Sequence, residues 1–318
     1  MRIVMMGTGP FAVPTFQALL DSSHDVAAVV TRPPRPVRGR RTAAVNPMRD
    51  LAEQRDVPVQ MPETVNDTAA RDELAQWQVD LMVVCDFGQI LSSQTLATAR
   101  LGGVNLHGSL LPKYRGAAPV NWAVYHGETE TGVTVIHMTP ALDAGPCLVQ
   151  RSVPIGPEET AEQLEPRLAT LGVDAVMEAL TMLASWDGQS PIGTVQDAAV
   201  ATKAPRLTKR DGQVDWSRTA RQIADQIRAF KPWPGTFTTW PRGKKPMRLI
   251  LDAVSVVEPP PAKVSPGAVA LSDGQRLIVG CGEGTALSLE RVQPAGKRPM
   301  PVADLLRGYA IDVGTRFE

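Results

Sequence analysis

The first 185 residues alternate between two kinds of segment, and that alternation constrains the fold more than any other feature. Residues 2–6 (RIVMM) are a β-rich run, followed by a glycine turn and a helical stretch that ends near Leu20. Residues 26–31 give a second run, residues 79–85 and 103–107 read as buried strands, and residues 132–138 are rich in β-branched side chains. Thr160-Ala-Glu-Gln163 has the form of a capping box opening a helix that extends to about Ala184, with Pro166 expected to kink it or delay its start. Strands separated by helices predict an α/β fold with a doubly wound, mostly parallel sheet.

The pattern changes after this region. From Asp187 to about Thr208 the chain is rich in Gly, Pro, Ser, Thr and Ala, which reads as a linker. Beyond it, Ile223, Ile227 and Phe230 fall at helical spacing, and Lys231-Pro-Trp-Pro-Gly235 forces a turn. Short β-rich runs follow at 236–240, 247–257, 267–271, 277–279 and 285–292, with a final helix expected over 302–309. Runs of this kind predict a small C-terminal OB-like β-barrel. The expected division is 1–188 for one domain, 189–207 for a linker and 208–318 for the second domain.

With 318 residues the chain is long enough for two cores. Its three cysteines, Cys85, Cys147 and Cys281, are odd in number and far apart, which fits a reducing cytoplasm and argues against a disulfide framework. No apolar run has the length of a membrane span, and the opening MRIVMMGTGPF reads as strand and turn, not as a leader. Neither a CxxC nor an HxxxH pair occurs, so no metal is expected. The net charge of zero is unevenly spread. Residues 1–189 hold 14 Lys and Arg against 21 Asp and Glu, and the remainder hold 19 against 12. An acidic half joined to a basic half suggests chemistry in one and a polyanion partner for the other.

Several motifs carry chemistry. Gly7-Thr-Gly9-Pro-Phe-Ala12 fits the loose GxGxxA dinucleotide pattern, and Arg32 at the end of the second strand leaves an NADP reading open. Residues 32–41 (RPPRPVRGRR) concentrate arginines, whose planar forks suit phosphates. Asn105 and His107 stand two apart on one strand, hence on one face, near its carboxyl end where doubly wound sheets place ligands. Asp143, in Leu142-Asp-Ala-Gly145, follows the strand at 132–138. Both strands are expected to end at the same edge, which would bring Asp143 beside His107. The three residue types suit acyl transfer: an amide and an imidazole donate to a developing oxyanion, and a carboxylate orients the imidazole or exchanges a proton. A Ser109-His107-Asp143 hydrolase triad competes, although Ser109 lacks the GxSxG elbow. His24, His126 and His137 read as structural or exposed.

Asn105-Leu-His-Gly-Ser-Leu-Leu-Pro-Lys-Tyr-Arg-Gly-Ala-Ala-Pro119, with Glu130-Thr-Gly-Val-Thr134 and Leu142-Asp-Ala-Gly145, resembles the signature of folate-dependent formyltransferases. The resemblance implies a Rossmann-like catalytic domain with Asn105, His107 and Asp143 as its catalytic trio. It also implies folate binding by the turn Ser109, Leu110, Leu111 and Pro112. A pterin-holding loop at Phe87, Gly88, Gln89, Ile90 and Leu91 follows, acting largely through backbone. Lys203–Trp216 and Ile227–Gly235 are similar to the start of the C-terminal domain in members that act on charged tRNA, and the arginine loop takes the place of their basic loop. The family opening is usually GTPxFA; here it is GTGPFA.

The implied activity is transfer of a formyl group from 10-formyltetrahydrofolate to the free amino group of methionyl initiator tRNA, for translation initiation. The implied tRNA contacts are Arg35, Arg38, Arg40, Arg41, Lys203, Arg206, Lys209 and Arg210. Charged initiator tRNA and folate are the expected partners, with no membrane and no obligate protein partner. The alternatives are an amino-sugar formyltransferase of the same fold, a formyltetrahydrofolate hydrolase, and a non-catalytic RNA-binding protein. Neutralising Arg38, Arg40 and Arg41 together should weaken tRNA binding and flatten its dependence on salt, by about one unit of log–log slope per lost phosphate contact. An unchanged slope in filter binding across salt concentrations would return these arginines to ordinary surface charge.

Overall fold

The computed structural model of the chain describes residues 1–34, 45–242, 245–260 and 265–318. In chain order the first elements are β1 (Arg2–Met6), α1 (Val13–Leu20), β2 (Asp25–Val30), α2 (Pro47–Gln54), β3 (Val59–Gln60), α3 (Thr68–Gln76), β4 (Leu81–Cys85), α4 (Ser93–Leu96) and β5 (Gly103–His107). They continue through β6 (Arg115–Gly116), α5 (Pro119–Tyr125), β7 (Glu130–His137), β8 (Cys147–Pro154), α6 (Ala161–Ala184) and β9 (Lys203–Ala204). Pro166 lies inside α6 and does not end it. The chain divides into two units, one made of Met1–Val120, Glu130–Pro154 and Gln163–Pro205, the other of Asn121–Thr129, Ile155–Glu162 and Arg206–Glu318.

The first unit is built on a seven-stranded sheet in the order β3-β2-β1-β4-β5-β7-β8. From β3 to β5 the pairing is parallel. The strands β1 and β4 are nearly all apolar and buried, as a sheet covered on both faces requires. Val4, Met6, Met82 and Val84 join Leu74 of α3 and Phe87 in one hydrophobic cluster. The helices start where side-chain caps take up free amides: Asn46 accepts from the Arg49 N–H and Asp67 from the Ala70 N–H. Winding reverses between β1 and β4, which opens a crevice at their carboxyl ends.

One expectation fails here. β7 runs antiparallel to β5, pairing Val104 with His137 and His107 with Thr134, so the two strands end at opposite edges. The connection that leaves His107 stays on that edge and does not cross over, so the next strand must run back. β8 then returns antiparallel to β7.

The second unit contains α7 (Ala220–Ala229), β10 (Thr236–Trp240), β11 (Met247–Val256), β12 (Val269–Ser272), β13 (Leu277–Gly280), β14 (Ala286–Pro294), β15 (Met300–Pro301) and α8 (Val302–Gly308). The strands form an antiparallel sheet in the order β10-β11-β14-β13-β12, with β15 on β14. The C-terminal segment ties the two outer strands together. The Val269 N–H donates to the Thr315 carbonyl and the Phe317 N–H to the Gly267 carbonyl, while Thr239 and Glu318 exchange both backbone bonds at 2.7 and 2.9 Å. Among the described residues this segment bridges the two outer strands and gives the sheet a barrel-like closure. α7 opens on a capping box in which Thr219 and Gln222 exchange side-chain bonds with each other's N–H. It buries Ile223 and Ile227 in the barrel core.

Phe317 is buried and stacks on Trp216, with ring centroids 6.3 Å apart, and the Trp216 indole N–H donates to Thr238 Oγ1 at 2.9 Å. Phe317→Ala should therefore cost about 3–5 kcal/mol of the second unit's stability, through the cavity and the loosened closure. Urea denaturation followed by tryptophan fluorescence checks this; a loss below about 1 kcal/mol would show that the tail is dispensable.

Candidate active site

β5 ends with Asn105 and His107 on one face, as strand alternation requires. Asp143 reaches them although β7 points the other way, because the loop after β7 doubles back. Two features hold this turn. Asp143 itself has a left-handed φ of 48°, and a Cβ on Gly145 would lie 1.8 Å from the His137 carbonyl oxygen, so only glycine allows so close a return. The Gln196 amide then donates to the carbonyls of Asp143 and Gly145 at 2.8 and 2.7 Å.

The Asp143 carboxylate is a node. It accepts from Asn105 Nδ2 at 3.3 Å and from the Gly116 N–H at 2.9 Å, and its Oδ2 faces His107 Nδ1 at 3.7 Å. His107 Nε2 lies 2.8 Å from the Tyr114 carbonyl. A carbonyl only accepts, so Nε2 carries a hydrogen, and Nδ1 is the ring atom left facing the carboxylate. His107 is buried. The site is thus an amide, an imidazole of fixed tautomer and a tethered carboxylate on the crevice side of the sheet.

Ser109 is excluded as a nucleophile. It is fully buried and its hydroxyl donates to the Lys113 carbonyl at 2.7 Å, while His107 Nε2 is spent on Tyr114. What the Ser109 segment does is form a rigid turn. Thr134 Oγ1 donates to the Ser109 carbonyl and accepts from the Leu111 N–H, and the Gln150 amide donates to the Leu111 carbonyl. Leu111 is buried within this turn, and Leu110 and Pro112 flank it.

The segment after β4 has its side chains largely committed. Phe87 and Leu91 lie in the core, and the Gln89 amide accepts from the Val65 N–H and donates to the Pro62 carbonyl. Gly88 and the exposed Ile90 remain, so a ligand would meet mostly backbone there.

Asp86 stands at the head of this segment. A Cβ on Gly9 would lie 1.8 Å from Asp86 Oδ2, so the missing side chain at position 9 makes room for the carboxylate. Burial, and then the nearby Glu165 charge, push the Asp86 carboxyl up to about 6, against the opposing pull of Arg32. A carboxylate beside the glycine turn is also the wrong charge for a pyrophosphate, which removes the physical basis of the NADP reading.

Residues 189–207, read as a linker, do more than join two halves. As far as Pro205 they belong to the first unit: β9 pairs with β6, Thr194 bridges Cys147, and the Tyr114 N–H donates to Thr202 Oγ1. Arg115 holds the Gln196 side chain through bonds of 3.1 and 2.7 Å. Gln196, Gly116, Tyr114, Thr134 and Gln150 all shape the site without having stood out in the sequence. Gly116 and Tyr114 lie within the Asn105–Pro119 motif and Thr134 ends the Glu130–Thr134 motif, which were the available signals for them. Nothing local marked Gln196. Lys203 is exposed on β9 of the first unit, and Arg206, Lys209 and Arg210 are exposed in the second. Arg35, Arg38, Arg40 and Arg41 lie outside the described residues. No group of His, Cys, Asp and Glu poised to hold a metal is found among the described residues, and none of their helices is long and apolar enough to cross a membrane.

Comparison with known proteins places this geometry in context. Residues 1–180 match the model of the family described as formyl transferase, and residues 206–310 match that of the formyl transferase C-terminal domain. A methionyl-tRNA formyltransferase of Rhodopirellula baltica is 45% identical over 326 aligned positions, covering 100% of this chain and 96% of that one. A methionyl-tRNA formyltransferase of Geobacter sulfurreducens is 39% identical, with coverage of 100% and 96%. Among solved structures, the sugar 3N-formyl transferase WlaRD, crystallised with dTDP and 5-N-formyl-THF, superposes with a TM-score of 0.65 at 16% identity. The match covers 94% of this chain and 99% of that one, a likeness of fold.

The raised Asp86 carboxyl makes a stability prediction. Its folded value of about 6 exceeds the ordinary 3.8, so folding favours the protonated form. The associated stability is complete below the ordinary value and is lost as pH rises through about 6. Asp86→Asn should therefore melt a few degrees above wild type at pH 7.5, and the gap should close on acidification towards pH 4. Melting curves that stay parallel across this range would show that the carboxylate is not displaced from its ordinary value.

Proposed function

The chain belongs to the formyl transferase family, and on that premise we propose that it transfers a formyl group from 10-formyltetrahydrofolate to the free α-amino group of methionyl initiator tRNA. The observation that carries this reading is the convergence of Asn105, His107 and Asp143 at the sheet edge, in a chain that aligns end to end with methionyl-tRNA formyltransferases.

The folate supplies the one-carbon unit. A bond forms between the acceptor nitrogen and the formyl carbon, the bond from that carbon to the donor nitrogen breaks, and one proton passes from the acceptor nitrogen to the donor nitrogen. Asn105 has a second amide hydrogen beyond the one given to Asp143, and it can donate to the formyl oxygen as negative charge gathers there. His107 Nδ1 takes up the leaving proton and hands it on, with Nε2 held on Tyr114 so that the ring cannot turn. Asp143, anchored by the Gly116 N–H, keeps the amide and the imidazole aligned and balances the charge of the imidazolium.

The residues fit a folate. The 109–112 turn is braced from behind by Thr134 and Gln150, and the 87–91 segment has turned its large side chains into the core. We assign Phe87, Gly88, Gln89, Ile90 and Leu91 to the pterin through backbone groups, and Ser109, Leu110, Leu111 and Pro112 to the wall of the folate site. We assign the catalytic role to residues 1–188 together with 189–205, in which Gln196 steadies the catalytic loop, and tRNA binding to 208–318. Arg35, Arg38, Arg40 and Arg41 would meet the acceptor end, and Lys203, Arg206, Lys209 and Arg210 the phosphates. Charge supports this, since phosphate contacts need cations and the C-terminal part carries the excess.

Asn105→Ala should lower kcat for formylation of methionyl-tRNA by about 100- to 1,000-fold while leaving tRNA affinity within about twofold. A stopped assay with charged initiator tRNA, beside a binding titration, separates the two effects. Full activity in the variant, or formylation of amino sugars in preference to charged tRNA by the wild type, would overturn the assignment.

A further inference from the structure

Asp86 has no place in the chemistry above, and its surroundings are unusual. β4 pairs in parallel with β5, matching Val84 with Asn105 and Cys85 with Leu106, so Asp86 is one step further on and flanks His107 on the adjacent strand. It occupies the left-handed region with φ 47°, uncommon for a residue with a side chain. Its backbone carbonyl accepts from the Thr8 N–H at 3.1 Å, which ties it to the glycine turn after β1. The residue keeps access to solvent although the protein around its carboxyl group strips away much of its water, and among the described residues its carboxylate receives no hydrogen bond. Gly9 leaves the space that the carboxylate enters. Glu165 adds negative charge nearby and Arg32 offsets part of it.

A carboxylate against the glycine turn, one strand over from His107, repels phosphates and the carboxylates of a folate tail. It attracts a cation that can donate hydrogen bonds. The reaction proposed above brings one such group to this crevice. The α-amino group of the acceptor ionises near pH 7.7–8.0 in its ordinary state, so at neutral pH it arrives largely as an ammonium. We propose that Asp86, in the space left by Gly9, receives the protonated α-amino group of the aminoacyl end and holds it one strand over from His107; one proton then leaves to bulk water, and the neutral amine enters the reaction above. This assignment rests on the reading of the trio as a formyl-transfer site, and it makes Asp86 a substrate-binding residue for the amine.

The test is a binding measurement, so it does not depend on turnover. Methionyl-tRNA and the same tRNA esterified with the matching α-hydroxy acid, which lacks the ammonium, are titrated against wild type and Asp86→Asn at pH 7. The wild type is expected to prefer the aminoacyl form by about tenfold, and Asp86→Asn to erase that preference by weakening the aminoacyl complex alone. Tetrahydrofolate titration confirms an intact site in the variant. Gly9→Ala, which displaces the carboxylate without removing it, should cause the same selective loss and decides the matter if Asp86→Asn folds poorly. A preference that survives the substitutions, or equal weakening of both tRNAs, overturns the proposal. Failure of wild type to formylate methionyl-tRNA, with the selective binding intact, would instead strike at the reading of the trio.

Discussion

The arrangement depends on one carboxylate being held in place. Asp143 lies on a loop that leaves the sheet at the edge away from the site, because β7 runs against β5. Its return is secured by bonds from the Gly116 N–H and the Asn105 amide, and by the Gln196 clamp on its backbone. Without those anchors a buried carboxylate would be costly and the loop would have no reason to fold back. With them the charge is solvated by the protein and aimed at His107. The Nε2 bond to Tyr114 fixes the other side of the imidazole.

The same economy of side chains shapes the rest of the crevice. Phe87 and Leu91 stabilise the core and Gln89 braces a neighbouring loop, which leaves backbone facing outward. A frame of that kind can offer backbone hydrogen-bonding groups without having to order long side chains on binding. In the second unit, closure has the analogous role. The C-terminal segment satisfies the edges of β10 and β12, and Phe317 seals the core against Trp216, which gives a charged surface a stiff support.

The departure GTGPFA acquires a meaning only when Asp86 is seen next to it. In sequence, Gly9 reads as a more flexible turn. In space it is the partner of an acidic residue on another strand, since any Cβ there would collide with the carboxylate. Two positions 77 residues apart thus form one feature.

The sequence by itself determined the strand–helix alternation of the first half, the short strands of the second, and the grouping of Asn105 and His107 on one face. Each of these follows from local periodicity, which the chain carries wherever it is placed. Asp143 joined that pair on the expectation that both strands end at one edge, which the fold overturns, and on the family likeness. Only the tertiary structure decided that β7 runs antiparallel, that Asp143 arrives by a returning loop, and that Gln196 in the Gly- and Pro-rich stretch belongs to the first unit. The reason is that strand direction and loop anchoring are set by which distant hydrogen-bonding groups must be satisfied together. A linear pattern shows that such groups exist, and only the folded chain shows which ones meet.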